Sequence, residues 1–449
     1  MDDYNDAELD WQTIDGFRAD FDRFLERFSG CFARSEGRSH MKRYVRGQCT
    51  DLHRKNCEAI ADEAGIAPRT LQDFLAIHTW DHEQTTDLLQ QIVAHEHHDD
   101  QSIGLIDETS FAKRGPETAC TQRQYCGSRG KTDNCVVSVH LGYSSYDNRF
   151  RCMLDGRLTL PTVWADDPVR RKKVGIPEEL VHEPKWRIAL QLLERACTNG
   201  VRFAWLTFDE AYACCTTFLE SLQARGQTYV GEVPKSFHGW LQEPVVLQKE
   251  HRRQKRSGGR PRRFPRLSAK SPKACEVQNL LKCSPKLRDQ PWEYFRIKDT
   301  DKGPMVWRFK ACRFRYQIAG KDRRPGIRMP SAPCWLIVGE SEHTGEVKYF
   351  VSNAPAGTAL ERLIHVAFSR WQIERLFQDD KDRLGMDHFE CRQWVAIHRH
   401  LILTAVSHLF LAKLGRQVGA GGKKGSIATP FASRGDGFVK RAACEAATA

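Results

Sequence analysis

Residues 369–390 read SRWQIERLFQDDKDRLGMDHFE, and their apolar residues recur with a helical period. Arg370, Glu374 and Lys381 stand at i, i+4 and i+11. At about 100° per residue they fall within roughly 40° of one another on a helix. A solvated stripe of salt bridges would give the same row, because Arg–Glu pairs at i,i+4 are common on helix surfaces. The sharper reading is a helix facing something that needs both a metal ligand and phosphate contacts.

Working outward, strand signals precede this helix. SIGLIDETSF (102–111) is an apolar run that ends in an acid, NCVVSVHLGY (134–143) alternates cleanly, and RFRCMLDGRLTLP (149–161) follows a polar break. Three strands with short turns predict an antiparallel meander. WRIALQLLERACTNG (186–200) is an amphipathic helix with Gly200 at its C-terminal end. RFAWLTFDEAY (202–212) is a buried strand that again ends in acids, and a helix (216–225) and the strand QTYVGEV (227–233) complete the block. PCWLIVGESEHTGEVKYFVSNAP (333–355) reads as a hairpin about His343–Thr344–Gly345. The expected class is therefore multidomain α/β.

Asp107 and Asp209 are thus expected at strand ends, with Glu374 on the later helix. Singly, each acid could be a turn residue or a helix cap. Together they form a set of hard oxygen donors of the kind Mg²⁺ takes. Two such ions about 4 Å apart can activate an attacking oxygen and stabilise a leaving one in a phosphodiester. Arg370 and Lys381, in line with Glu374, would then hold phosphates.

The first 98 residues read as helical. CEAIADEAGIAPRTLQDFLAIHTW (57–80) has the spacing of a helix-turn-helix, with Ala61 at the crossing, Gly65 in the turn, Leu71 as the apolar anchor and Pro68 in the first turn of the second helix. Arg69 would be presented to DNA bases, although an ordinary helical hairpin has the same pattern.

The chain of 449 residues carries +12. Residues 249–273 hold eleven Lys or Arg against one acid (Glu250), which is +10, so the other 424 residues carry only +2. The excess is local and points to a polyanion-binding element; Arg252, Arg253, Arg262 and Arg263 are candidate phosphate contacts. Sixteen scattered cysteines without a C-x-x-C pair argue for reduced thiols rather than a zinc site. No signal peptide or membrane span is expected, and HLILTAVSHLFLAKLG (400–415) reads as a buried core helix. These features point to a cytoplasmic protein with no membrane partner. The Gly-, Ala-, Ser- and Lys-rich stretch from 416 to 449 is expected to be a disordered tail.

At this point the residues resemble a known family. IDETSFAKRG and RQYCGSRGKTDNCVVSVHL, then LTFDEAY with YVGEVP, then RWQIERLFQDDKDRLGMDHFE resemble the acid motifs of DDE transposases of bacterial insertion sequences. The branch is that of the IS-four and IS-seven-oh-one groups, and the resemblance runs from about 20 to 412. The branch signature Y-x2-R-x3-E-x6-K is met by Arg370, Glu374 and Lys381, with Ala367 in place of the tyrosine.

The resemblance implies a ribonuclease-H-like mixed sheet with flanking helices. It would occupy 99–233 and 336–415, be interrupted by a strand-rich basic insertion at 234–335 and follow an all-helical DNA-binding domain at 1–98. It implies that Asp107, Asp209 and Glu374 are the catalytic, metal-binding triad for two Mg²⁺ ions, which Mn²⁺ can replace. An aromatic residue of the insertion would stack on a flipped base, with Trp292 and Trp240 as candidates. The implied activity is cleavage of transposon ends and joining of the 3′-hydroxyl to target DNA, by cut-and-paste. Its partners would be the terminal inverted repeats, the target duplex and a second copy in the synaptic complex, in the bacterial nucleoid. The competing expectations are a non-catalytic or domesticated DNA-binding regulator and a ribonuclease-H-like nuclease.

Overall fold

The computed structural model describes residues 11–247, 265–300, 303–318 and 328–419. The basic-run candidates Arg252, Arg253, Arg262 and Arg263, and the tail from 420 onward, lie outside the described residues. The chain forms two compact units, one of residues 1–203 with 371–449 and one of residues 204–370. These boundaries differ from the cuts at 98, 233, 335 and 415 expected from sequence.

The first unit opens with helices α1 (Trp11–Glu26), α2 (Ser35–Gln48), α3 (Cys57–Glu63), α4 (Pro68–Ala76) and α5 (His82–Glu96). Phe21, Phe24, Leu25 and Phe28 are all buried, as their helical spacing requires. Asn56 caps α3 by accepting from the Ala59 N–H at 2.9 Å, and Gly65 takes φ +66° in the turn before α4. Ala61 and Leu71 are fully buried where the two helices meet.

Strands β1 (Ile103–Ala112), β2 (Gln122–Cys126), β3 (Lys131–Ser144) and β4 (Arg151–Leu158) follow. β1 runs antiparallel along one side of β3, while β2 and β4 pair with its other side. The meander is therefore β1–β3–β4, with β2 as a further strand between β1 and β3 in the chain. The segment ends in α6 (Thr162–Ala165), α7 (Pro168–Lys173) and α8 (Lys185–Thr198).

The second unit contains β5 (Trp205–Phe208), α9 (Glu210–Ala213), α10 (Thr216–Ala224), β6 (Tyr229–Val233), β7 (His238–Trp240), β8 (Val246–Leu247), β9 (Arg266–Leu267), β10 (Cys275–Glu276), α11 (Val277–Cys283) and α12 (Pro285–Arg288). It continues with β11 (Glu293–Thr300), β12 (Gly303–Ile318), β13 (Met329–Pro330), β14 (Cys334–Ser341), β15 (Val347–Ser352) and α13 (Leu360–Ser369). β5 and β6 are parallel, and β6, β15, β14, β12 and β11 then pair antiparallel in that order. β12 lies within the stretch read as an insertion, yet it pairs with β14 along eight residues. That stretch is therefore built into the sheet. Trp307, Phe309, Phe350 and Phe368 form an aromatic core on one face, and Gly339 leaves room for the Phe309 ring, which a Cβ would meet at 2.5 Å.

The chain returns to the first unit with α14 (Trp371–Leu384) and α15 (Trp394–Gly419). α15 is longer than the expected 400–415 helix, because Trp394 to His400 continue its buried face and 416–419 remain helical. Its apolar window is 94% buried, which fits a core helix. Gln48 on α2 locks onto it, donating to Thr404 Oγ1 at 2.8 Å and accepting from Ser407 Oγ at 2.9 Å.

Candidate active site

Asp107 lies in the middle of β1 rather than at its end. The strand runs on because Thr109 and Phe111 continue its buried face. Its Oδ1 accepts from the Glu108 N–H at 2.7 Å. Glu108 turns to the opposite face, where it pairs with Lys185. His140 on β3 is registered directly across from Asp107. Burial holds that imidazole at about 3, so it is neutral, and its Nε2 shares a 2.6 Å hydrogen bond with Ser138 Oγ.

Helix α14 packs on the same strand face. Leu376 reaches Gly142, whose missing Cβ would sit 3.0 Å from it, and Phe377 meets the His140 ring edge-on at 5.3 Å. Lys381 Nζ donates to Thr109 Oγ1 at 2.7 Å, two residues along from Asp107 and on its face. Glu374, two turns before Lys381, is exposed. The first unit thus brings the Asp107 strand and the Glu374 helix together. Lys381 is half-buried and its pKa is lowered by that burial, so its ammonium braces β1 instead of standing out toward solvent.

The expected row of three is broken at Arg370. α13 ends at Ser369 and α14 begins at Trp371, so only Glu374 and Lys381 share a helix. Arg370 belongs to the second unit, where its Nε lies 3.8 Å from Glu232.

Buried charges fix the back of α14. Asp379 accepts from Arg151 at 3.0 Å, and Arg375 and Arg383 lie 3.4 and 3.6 Å away. Asp380, pushed up by burial, meets His408 of α15 at 2.5 Å. Lys55 receives the helix's C-terminal end: its Nζ donates to the Arg383 carbonyl and to the carbonyls of Gln48 and Thr50 at 2.9 and 2.5 Å. Burial lowers this ammonium to about 8. Past Gly385 (φ +69°), His388 Nδ1 accepts from the Lys55 N–H at 3.1 Å. None of Arg151, Asp379, Asp380 and His408 stood out in the sequence, since QDDKD looks like a solvated run.

Asp209 closes β5 in the second unit, as expected for a strand end. Its Oδ1 accepts from the N–H groups of Ala211 and Tyr212 at 3.0 and 3.4 Å, capping the short α9. Trp292 is half-buried, with Arg308 and Lys310 at 4.9 and 4.6 Å from its ring. Trp240 is a core residue, 3% exposed, with Nε1 donating to the Pro272 carbonyl, so it is closed to a base. In the first unit, Arg69 is exposed and pairs with Asp73 one turn along α4 at 2.8 Å.

The three acids supply the hard oxygen donors that a divalent ion prefers. Among the described residues, however, no group of three or more His, Cys, Asp or Glu side chains is arranged as a metal site. Part of each aspartate's hydrogen-bonding capacity goes to neighbouring backbone amides.

Residues 27–304 match the family model described as DDE superfamily endonuclease. Over 94 residues the chain is 36% identical to a probable transposase for insertion sequence element IS701 from Microchaete diplosiphon. That stretch is 21% of this chain and 25% of the relative, so the chain matches about a quarter of that protein's length. Among solved structures, a chain of the piggyBac transposase synaptic complex with hairpin DNA aligns with a TM-score of 0.40 and 11% identity. The alignment covers 92% of this chain and 70% of that one.

Proposed function

The chain belongs to the DDE superfamily of endonucleases, and from that premise we propose that it is a DNA transposase of an insertion sequence, acting in the cytoplasm on double-stranded DNA. It cleaves transposon ends and joins the freed 3′-hydroxyl to target DNA by cut-and-paste. Asp107, Asp209 and Glu374 are the catalytic carboxylates, and they would hold two Mg²⁺ ions. When bound, such ions neutralise phosphate charge and activate the attacking oxygen. Water and then the 3′-hydroxyl are the nucleophiles, so no covalent bond to the protein forms.

The observation that carries this reading is the Lys381–Thr109 hydrogen bond, which joins the strand of Asp107 to the helix of Glu374. Lys381 acts in it as a positioning residue. Arg370, Arg252, Arg253, Arg262 and Arg263 contact phosphates, Trp292 stacks on a base and Arg69 reads the inverted repeat. Two copies form the synaptic complex.

The test is incubation of purified protein with candidate flanking ends and Mg²⁺, followed by mapping of the cuts. Asp107→Asn, Asp209→Asn and Glu374→Gln abolish cutting and leave end binding intact. An Asp107 variant that still cleaves supercoiled donor DNA refutes the assignment.

A further inference from the structure

We propose that the outer face of the β2–β3 hairpin is a contact surface for unpaired DNA bases, in which Tyr125 stacks on a base and Arg123 takes the neighbouring phosphate. The inference rests on the DNA-processing reading above. It adds a surface made of residues outside the three acids and the basic run.

Tyr125 is 67% exposed although it sits within a paired strand, opposite Thr132. Arg123 lies two residues earlier, on the same strand face, and is exposed as well. The Tyr125 ring and the Arg123 guanidinium thus both stand open on that face. Exposed Arg129 and Lys131 flank the hairpin tip, where Gly130 adopts φ +62°. The hairpin itself, residues 122–135, carries three Lys or Arg and one acid (Asp133), giving +2.

A single exposed aromatic is ordinary on a protein surface. This one is held rigidly by the opposite side of its hairpin. Cys126 is fully buried, its sulfur 3.2 Å from Ser128 Oγ, and the Ser128 N–H donates to Ser110 Oγ at 3.3 Å. Gln124 Nε2 donates to the Cys135 carbonyl at 3.1 Å. Ser110 is on β1, three residues from Asp107, so the ring is carried by a hairpin pinned to the strand of the first acid.

A pre-positioned aromatic face with the exposed cations Arg123 and Lys131 beside it, and Arg129 paired with Asp133 at 3.2 Å, matches the combination that binds single strands, because every base offers a π-face. In an intact duplex those faces are stacked on one another and closed to a side chain. The ligand is therefore a strand with unpaired bases, as at a frayed or cleaved DNA end, and recognition is tolerant of sequence.

The experiment measures binding of the full chain to a fluorescein-labelled duplex with a short single-stranded overhang and to the matched blunt duplex. 2-Aminopurine in the overhang reports stacking. Tyr125→Ala is expected to weaken overhang binding about tenfold and to abolish 2-aminopurine quenching, with blunt binding unchanged. Tyr125→Phe retains both signals, and Arg123→Ala weakens overhang binding without removing the quenching. Unaltered melting temperatures, expected for so exposed a side chain, exclude misfolding as the cause. If the wild type binds the overhang and Tyr125→Ala matches it in both readouts, the hairpin proposal is overturned while the transposase reading stands. If the wild type binds neither DNA, both are overturned.

Discussion

The two units handle charge in opposite ways. Among the described residues, the first buries Lys55, Asp155, Asp379, Asp380 and Arg399 together with five histidines. The second buries one charged side chain, Lys310, which donates to the carbonyls of Leu287 and Arg288 at 2.8 Å. Its sheet is held by the rings of Trp307, Phe309, Phe350 and Phe368. Aromatic packing stabilises mainly through the area it buries, whereas buried ion pairs and hydrogen bonds leave a costly unpaired group when their geometry is lost. The first unit uses that dependence on geometry where it matters, on α14, whose rotation sets where Glu374 stands.

If this contrast is right, acid should act on the first unit. Burial holds His140 at about 3 and His398 and His400 at about 4, against 6.5 for the unperturbed side chain. The unfolded chain therefore binds more protons over this range. The stability these neutral imidazoles confer is complete above about pH 6.5 and is lost as the pH falls through 4. The loss should total on the order of 10 kcal/mol, read by hydrogen exchange of α14 and α15 peptides. Phe309→Ala probes the other unit and should cost about 4 kcal/mol, with β12 and β14 peptides exchanging faster and no added pH dependence between 4 and 6.5. Asp380→Ala should cost about 3 kcal/mol, localised to α14 and α15, and a double-mutant cycle with His408→Leu should show coupling. Equal acceleration of exchange across both units in any of these experiments would erase the distinction. Arg69→Ala removes only an exposed helix pair and should change stability by no more than about 0.5 kcal/mol, while weakening binding to the inverted repeat.

Much of this was legible in the sequence where a local rule operated. Strand alternation located β3 and β4, Gly345 marked the β14–β15 turn, Gly65 with Pro68 marked the turn before α4, and Asp209 ended β5. The misses arose where distant residues decide. QRQYC looks like a polar loop, and it becomes β2 because β3 extends far enough to pair with it. Asp379 and Asp380 look solvated, and they are buried because Arg151 and His408 supply their partners. The interruption at Arg370 leaves no composition signal, since RWQIERL is good helical sequence on both sides. Carboxylates drawn from separate parts of the chain could be matched by motif, whereas spacing carries no information on whether they share one site, which stands as a proposal.

The proposed sharing of one metal site by the three acids is the central claim, and Mn²⁺ titration of the full chain in the presence of a DNA end tests it most directly. The wild type should bind the ion, and Asp107→Asn, Asp209→Asn and Glu374→Gln should each lose that binding while still holding DNA. Undiminished Mn²⁺ binding by Asp209→Asn would contradict the account, because it would separate the second-unit aspartate from the two acids of the first.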